Sequence, residues 1–308
     1  MQKKNWPNFS DNLISKVVKV IKSGKINYTS GLYGKKFEKN FSKFIGNKYS
    51  IAICNGTAAL EVAIRSLKLP NNSEIIVPAR SFFSSASCIV NTGNLPVFAD
   101  VDSLTQNISL EDIKRKINKN TKAIICVHLA GLPCDIQNIK NIAKKNNIKI
   151  IEDCSQAHGA SINNKQVGSF GDVATWSFCT DKIISTLGEG GMISTNNKKI
   201  YNYCQTHINH GSVLLKKNNS EKFIYNKHFF GTNLRITEIQ SIAGIEQLKK
   251  LKKIQKKREK MSLDYLNIFL KYPKYISCYF PPKHIKSAWY RFYFFIKNNT
   301  NNQQQIRF

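Results

Sequence analysis

Short apolar runs alternate along the chain with stretches of helical periodicity, and this alternation most constrains the fold. The apolar runs occupy residues 51–54, 74–78, 95–101, 123–128, 148–153, 173–178 and 192–195. Between the first two runs, Leu60, Ile64 and Leu67 share one helical face, and residues 135–146 form another helical stretch. Strands that alternate with helices predict an α/β fold, a mostly parallel sheet sandwiched by helices.

The chain is strongly basic, with 47 Lys+Arg against 19 Asp+Glu and a formal net charge of +28. Such a charge raises the alternative of a regulatory or nucleic-acid-binding protein. Arginine occurs only at positions 65, 80, 115, 235, 258, 291 and 307, so 47 − 7 = 40 residues are lysine. Nucleic-acid sites favour clustered arginines. The lysine run at residues 249–260 continues a helix whose apolar side includes Ile242 and Ile245, which predicts a solvated face and argues against a nucleic-acid partner.

The N-terminal residues and the cysteines indicate the compartment. Residues 1–20 lack the apolar segment and cleavage site of a signal peptide. No stretch approaches the roughly 18–20 apolar residues that span a bilayer. The eight cysteines form no CxxC pair, and several lie inside apolar runs. We therefore expect a cytoplasmic protein with reduced thiols, no membrane association and no metal site.

Three polar clusters follow predicted strands, where ligands bind in sheets of this kind. Asn55, Gly56 and Thr57 form a strand-to-helix turn, which is either a phosphate site or an ordinary turn. Asp153 ends an apolar strand, where it either meets a positive group or caps the next segment. Lys182 follows Ser177 by five residues and is expected to be enclosed, with a lowered pKa that suits a nucleophilic amine. His158, in the second cluster, is expected to be structural.

An anion-binding turn, a buried carboxylate and an enclosed lysine are together what pyridoxal 5′-phosphate (PLP) requires. This cofactor needs a cradle for its phosphate, a carboxylate for its pyridine nitrogen and a lysine that forms a Schiff base. Each of the three signals is weak alone, and their order along the chain makes the combination stronger.

The motifs resemble those of the DegT/DnrJ/EryC1/StrS family of PLP-dependent sugar aminotransferases. The similarity extends over residues 31–291. It is carried by NGTAAL (55–60), FADVD (98–102), VHLAGLPCDI (127–136), EDCSQAHGA (152–160), the segment 168–191, GTNLRITEIQSIAGIEQLKKL (231–251) and SAWYRF (287–292). The resemblance implies the fold of type I PLP-dependent transferases.

The resemblance also implies roles around the cofactor ring. Lys182 would form the Schiff base and move protons during the reaction, and Asp153 would pair with the pyridinium nitrogen. Gln156 would contact the phenolic oxygen, and Phe82 would stack on the ring.

For the cofactor phosphate, the resemblance implies Gly56, Thr57 and Ser177 from the same subunit. Asn233 would reach the phosphate from a neighbouring subunit, which implies a homodimer with shared active sites. Without the family context, Asn233 is read as a local helix cap.

The resemblance implies a reaction that moves an amino group from an amino acid, expected to be glutamate, to a nucleotide-linked keto-sugar. Its product would serve surface polysaccharides or related glycoconjugates. Some relatives have histidine at the lysine position and act as dehydratases, and Lys182 argues against that reaction here. Ala130 and Ser81 depart from the tyrosine and threonine common in the family.

The end of the chain differs most from the family pattern. We expect a large PLP-binding domain over residues 1–245 and a small C-terminal α+β domain over residues 246–308 that is truncated. A strand over residues 289–296 would then have an unpaired edge. A catalytically impaired family member is therefore an alternative to an active enzyme.

Overall fold

A seven-stranded sheet lies at the centre of the molecule in the computed structural model, which describes residues 6–216 and 223–297. The strands of the described chain are β1 (Tyr49–Ile53), β2 (Glu74–Pro78), β3 (Leu95–Ala99), β4 (Thr121–Val127), β5 (Lys149–Asp153), β6 (Ser161–Ile162), β7 (Lys165–Gln166), β8 (Val173–Ser177), β9 (Gly191–Thr195), β10 (Ser212–Lys216), β11 (Phe223–Lys227), β12 (Ile276–Ser277), β13 (Ile285–Lys286) and β14 (Phe295–Ile296).

The central sheet has the strand order β1-β9-β8-β5-β4-β2-β3. The pairs β2–β3, β2–β4, β4–β5 and β5–β8 are parallel, whereas β9 is antiparallel to both of its neighbours. Because β9 alone is reversed, β1 has the same direction as the other five strands. The predicted α/β class with a mostly parallel sheet is confirmed. β3 ends before the predicted residue 101, since Val101 instead forms an isolated bridge with Ile108.

Helices cover both faces of this sheet. Ile51 and Ile53 face one hydrophobic cluster and Ala52 faces another, as the two-residue period of a strand requires. In β4, Ile125 and Ile124 likewise face opposite clusters. The helices of the described chain are α1 (Asp11–Lys22), α2 (Tyr33–Ile45), α3 (Gly56–Ser66), α4 (Ser84–Asn91), α5 (Leu110–Lys116), α6 (Ile136–Lys145), α7 (Lys198–His207) and α8 (Glu238–Phe269).

The long helix α8 packs closely against α2. A Cβ atom on Gly244 would lie 2.4 Å from the Phe37 ring, so only glycine permits this approach. Ile242, Ile245 and Leu251 are buried, while most lysines of residues 249–260 are exposed, which confirms the predicted solvated face. The helix is continuous through residue 245, and the division into domains at that point stays a prediction.

The predicted strand over residues 289–296 is wrong in its extent, because only Phe295–Ile296 is a strand and it pairs with Ile276–Ser277. Trp289 has φ of 50°, in the left-handed region that a strand cannot contain. The backbone amide of Arg291 donates to the carbonyl of Ala130 at 3.1 Å, so this segment bonds to a loop rather than to a strand. The end of the predicted small domain, residues 298–308, lies outside the described residues.

Two observations bear on the expected compartment. Residues 6–216 and 223–297 contain no helix that is both long and apolar enough to cross a membrane. All eight cysteines are free thiols, and most of them are buried.

Candidate active site

A cleft of about 1020 Å³ lies at the carboxyl edge of the parallel strands. The turns after β1, β2, β5 and β8 line it, together with residues 290–293. It therefore occupies the place where sheets of this type bind ligands. Of the eight predicted site residues, seven line this cleft: Gly56, Thr57, Phe82, Asp153, Gln156, Ser177 and Lys182.

At one end of the cleft, helix α3 begins directly after β1. Its N-cap Asn55 accepts a hydrogen bond from the Ala58 amide at 2.8 Å. A Cβ atom on Gly56 would lie 2.7 Å from Cβ of Ser177, so glycine is required for α3 to begin this close to the end of β8. The helix N-terminus and the Thr57 and Ser177 hydroxyls thus converge where an anion would be stabilised by the helix dipole.

Asp153 is the last residue of β5, and its side chain is 5% exposed. One carboxylate oxygen accepts from the Ser155 amide at 3.1 Å, and the other accepts from the Ser85 hydroxyl at 3.2 Å. Residues 6–216 and 223–297 provide no cation in an ion pair with it. A buried carboxylate with only two hydrogen-bond donors suits a cationic ligand group.

A second buried carboxylate, that of Glu152, lies one residue earlier in β5 and bonds this strand to neighbouring segments. The two oxygens of Glu152 accept from the amides of Gly168, Phe170 and Gly171 at 2.7–2.8 Å, and His128 Nε2 lies 3.1 Å away. Burial raises the pKa of Glu152, but the His128 and backbone hydrogen bonds outweigh burial and hold the pKa below its ordinary value. This network fixes the end of β5, and the sequence gives no local sign of it.

Lys182 lies across the cleft, with its side chain 14% exposed. Its Nζ is 3.4 Å from Oδ2 of Asp181 and 3.4 Å from Oη of Tyr290, and Tyr290 also donates to Asp181. Burial lowers the pKa of Lys182, but the electrostatic influence of Tyr290, Cys179 and Asp181 outweighs burial and raises the pKa overall. The expected lowering of this pKa is therefore wrong for the free amine. Asp181 is adjacent to Lys182 in the sequence, whereas Tyr290 lies in the SAWYRF motif (287–292) and no local pattern predicts its contact with Lys182.

Gln156 and Phe82 lie on different walls of the cleft. Oε1 of Gln156 accepts from the Ala130 amide at 2.7 Å, and Ala130 has φ of 55°. The departure from tyrosine at position 130 thus falls in the cleft wall itself. Phe82 follows β2 and is 69% exposed, so its ring is free to lie against a flat ligand.

Asn233 and His158 are not part of this cleft. Asn233 is exposed, its Oδ1 accepts from the Arg235 amide, and its backbone bridges to Asn209. His158 is fully buried beside the rings of Trp176 and Phe178, as a structural histidine would be. Burial, followed by the charge of Lys182, lowers the pKa of His158 to about 3, so its ring is neutral.

The donor set of the cleft fits PLP. The start of α3 offers amides and hydroxyls for a phosphate, Asp153 offers a carboxylate without an ion-pair partner, and Lys182 offers an amine. A Cβ atom at Gly56 would prevent the close approach of α3 to the end of β8, and this approach forms the end of the cleft that would hold the phosphate. These groups come from three separate strand ends and meet in one cavity.

Known proteins share both the sequence and the fold. GDP-perosamine synthase from Vibrio cholerae is 39% identical over 215 residues, which cover 70% of this chain and 56% of that protein. The chain thus spans little more than half the length of the curated relatives that it matches.

Solved structures extend the similarity to most of the chain. An aminotransferase from Psychrobacter cryohalolentis superimposes with a TM-score of 0.91 at 37% identity, covering 95% of this chain and 77% of that one. The E. coli GDP-4-keto-6-deoxy-D-mannose-3-dehydratase with bound hydrated PLP gives a TM-score of 0.86 at 29% identity, covering 98% and 81%. The fold is that of the type I aminotransferases.

A model of one family accounts for nearly the whole sequence, since it matches residues 7–307. That match agrees with the position of the cleft, with the set of side chains that fits PLP and with the similar solved structures. The chain belongs to the DegT/DnrJ/EryC1/StrS aminotransferase family, whose members use PLP.

Proposed function

We propose that the protein is a PLP-dependent aminotransferase that transfers the amino group of an amino acid, glutamate in the first instance, to a nucleotide-linked keto-sugar. The observation that carries this proposal is the presence of the Lys182 amine, the Asp153 carboxylate and the start of α3 in one cleft. The V. cholerae relative, whose name indicates a GDP-linked amino sugar, supports a nucleotide-linked substrate.

When bound, PLP supplies a carbonyl carbon that accepts amino groups and a ring that withdraws electrons. Asp153 would hold its negative charge against the ring nitrogen and keep that nitrogen protonated, since its carboxylate is buried and oriented by Ser85 and Ser155. Lys182 Nζ would carry a proton to and from the reacting carbon. The lysine at this position supports amino transfer over the dehydration performed by relatives with histidine there.

Asp181 and Tyr290 hold the amine of Lys182 when it is protonated. Both side chains lie 3.4 Å from Lys182 Nζ, on the side of the cleft formed by residues 290–293. The positive charge that favours this position is lost when Nζ gives up its proton. Release of the amine from these partners would therefore accompany each proton transfer.

The proposal includes a homodimer in which Asn233 of one subunit contributes to the phosphate end of the other. Asn233 is exposed and lies outside the cleft of its own chain. Phe82 and Phe83, at the cleft edge, are 69% and 80% exposed, which suits coverage by a second copy. The free thiols support a reducing compartment, the cytoplasm.

Spectroscopy tests the cofactor part of the proposal. The wild type should take up PLP and show a visible absorption band that borohydride bleaches, and Lys182→Ala should lack the band. Lys149→Ala is the control, because Lys149 is at the opposite end of β5 and is 47% exposed. A wild type that takes up no PLP would overturn the proposal.

Two further assays test the substrate and the dimer. Glutamate with a panel of nucleotide-linked keto-sugars should give an aminated sugar. Mixing Lys182→Ala subunits with Asn233→Ala subunits should restore activity, because one site of each mixed dimer then contains both native residues. Failure of mixing to restore activity, with mixed dimers present, would refute the shared site.

A further inference from the structure

Two arginines line the cleft, in a chain that carries most of its positive charge on lysine. Arginine accounts for 7 of the 47 basic residues. Yet the basic side chains that line the cleft, among residues 6–216 and 223–297, are Lys182 and the two arginines Arg80 and Arg291. Arginine differs from lysine in its planar fork of donors, which binds phosphate or carboxylate oxygens in pairs and stacks on aromatic rings.

Arg80 follows β2 and is oriented by neighbours on two sides. Its Nη1 donates to Oε1 of Gln106, and its guanidinium lies 6.0 Å from the centre of the Tyr293 ring. Tyr293 is itself fixed, because its hydroxyl donates to the carbonyl of Thr105 at 2.5 Å. The Arg80 side chain is exposed on the cleft side, so donors remain for a ligand.

Arg291 belongs to residues 290–293, a segment that lines the cleft and whose backbone is fixed at several points. Its guanidinium is 5.5 Å from the centre of the Tyr290 ring, and its amide donates to the Ala130 carbonyl. Nη1 of Arg258, in α8, donates to the carbonyls of Trp289 and Tyr290 at 3.1 and 3.2 Å. A rigid segment of this kind reduces the entropy lost when a ligand binds.

The other charged groups in the cleft limit what these arginines can bind. Lys182 is partnered by Asp181 and Tyr290, and the remaining charged side chains that line the cleft include the acidic Glu61 and Glu189. These carboxylates would repel a multiply charged anion deep in the cleft. Such an anion would instead bind the two exposed arginines at the mouth of the cleft. Beside Arg291, the half-buried rings of Trp289 and Phe292 stack with centres 6.0 Å apart, and Phe292 also lines the cleft.

We propose that Arg80 and Arg291 form an anion site that binds the diphosphate of the nucleotide-linked substrate at the mouth of the cleft. This inference rests on the proposed function, since it assigns part of the proposed substrate to named residues. The sugar then points inward to Lys182, and the nucleoside lies outward along the aromatic wall. The carboxylate of the amino-acid donor also matches the arginine fork, and the test separates the two anions.

The test measures binding of nucleoside diphosphates (GDP, UDP and dTDP) to the PLP-loaded protein by calorimetry. For the tightest of the three, Arg80→Gln and Arg291→Gln should each weaken binding by about 10-fold or more, which corresponds to the loss of one charge-assisted hydrogen-bonded contact. The matching nucleoside without phosphates should bind equally to all variants. Arg115→Gln, on α5 and 74% exposed, is the control and should bind as the wild type does.

A second measurement follows the reaction of glutamate with the bound cofactor, by the loss of the visible band. This step should keep its dependence on glutamate concentration in both variants. Arg80→Lys, which retains charge without the fork, should fall between wild type and Arg80→Gln in diphosphate binding. The cofactor band of each variant shows that its site has folded.

Unchanged diphosphate binding in the double variant would overturn the inference, as would a wild type that binds none of the three diphosphates at millimolar concentration. A double variant that loses the glutamate step but keeps diphosphate binding would assign the arginines to the donor carboxylate and overturn it as well. In these cases the visible band and its dependence on Lys182 still stand. Only a wild type that shows no cofactor band would count against the proposed function.

Discussion

Replacing Glu152 by glutamine exchanges one carboxylate oxygen for an NH₂ group in a fully buried network and should destabilise the protein strongly. The carboxylate has two acceptor oxygens: one serves the amides of Phe170 and Gly171, and the other serves Gly168 and faces His128. Glutamine retains one of those oxygens and places an NH₂ group, a donor, at the other position. In either orientation of the glutamine amide, two buried donors then lose their acceptor.

The structure gives the magnitude of this effect. If the glutamine oxygen faces Phe170 and Gly171, the Gly168 amide and His128 Nε2 face a donor. His128 cannot readily exchange tautomers, because its Nδ1 already accepts from the Cys134 amide at 3.1 Å. Each buried donor without an acceptor costs about 1–3 kcal/mol, so Glu152→Gln should lower the free energy of unfolding by about 2–6 kcal/mol.

Urea unfolding at fixed protein and PLP concentrations measures this loss. Glu111→Gln is the matched control, since Glu111 is 81% exposed and its one ion pair among the described residues is with Lys114; it should stay within about 0.5 kcal/mol of wild type. Folding lowers the pKa of Glu152. The ionised carboxylate therefore stabilises the folded protein above the ordinary glutamate pKa of about 4.3, and this stabilisation is lost as the pH falls. The difference in the free energy of unfolding between wild type and Glu152→Gln should therefore become smaller at acid pH. A variant as stable as the control at pH 7 would refute the reasoning.

Three further substitutions give separate tests. Gly56→Ala places a Cβ atom 2.7 Å from Cβ of Ser177 and should weaken PLP binding in an absorbance titration; unchanged affinity would contradict the close approach. Asp181→Asn removes a negative charge beside Lys182 and should lower the pKa of its amine, as measured by the pH dependence of amine labelling in PLP-free protein; an equal or higher pKa would be inconsistent with the contact. Ile125→Ala, fully buried in β4, should cost about 2–5 kcal/mol in urea unfolding, and a loss below 1 kcal/mol would show that the core there relaxes.

Local sequence patterns predicted the parts of the site that follow strands. Gly56, Asp153 and Lys182 each come just after an apolar run, and the sheet brings such positions to one edge whatever the intervening sequence. The fold class followed for the same reason, since the lengths and order of the apolar runs determine a parallel sheet. These predictions needed only the period of the strands and the order of the motifs.

Contacts between distant segments could not be predicted in this way. The position of Tyr290 beside Lys182 depends on a turn in which Trp289 adopts a left-handed conformation that its residue type disfavours. Bonds from Arg258 and to Ala130 hold that turn, and neither has a periodic signature. Residues 289–294 therefore read as a strand in the sequence, although tertiary bonds bend them into the cleft wall.

The reversed strand β9 has a consequence for how the protein is made. β9 lies between β1 and β8 and pairs Gly191 with both Ile53 and Ser177, so it joins the first strand of the sheet to the last of its parallel strands. A ribosome that adds 5–20 residues per second needs on the order of ten seconds between completing β1 and completing β9. During that interval β1 has no neighbour from the central sheet, and for most of it the start of α3 has no Ser177 to pack against. The phosphate end of the cleft thus forms late in synthesis, and a nascent chain shorter than about residue 195 should not retain PLP.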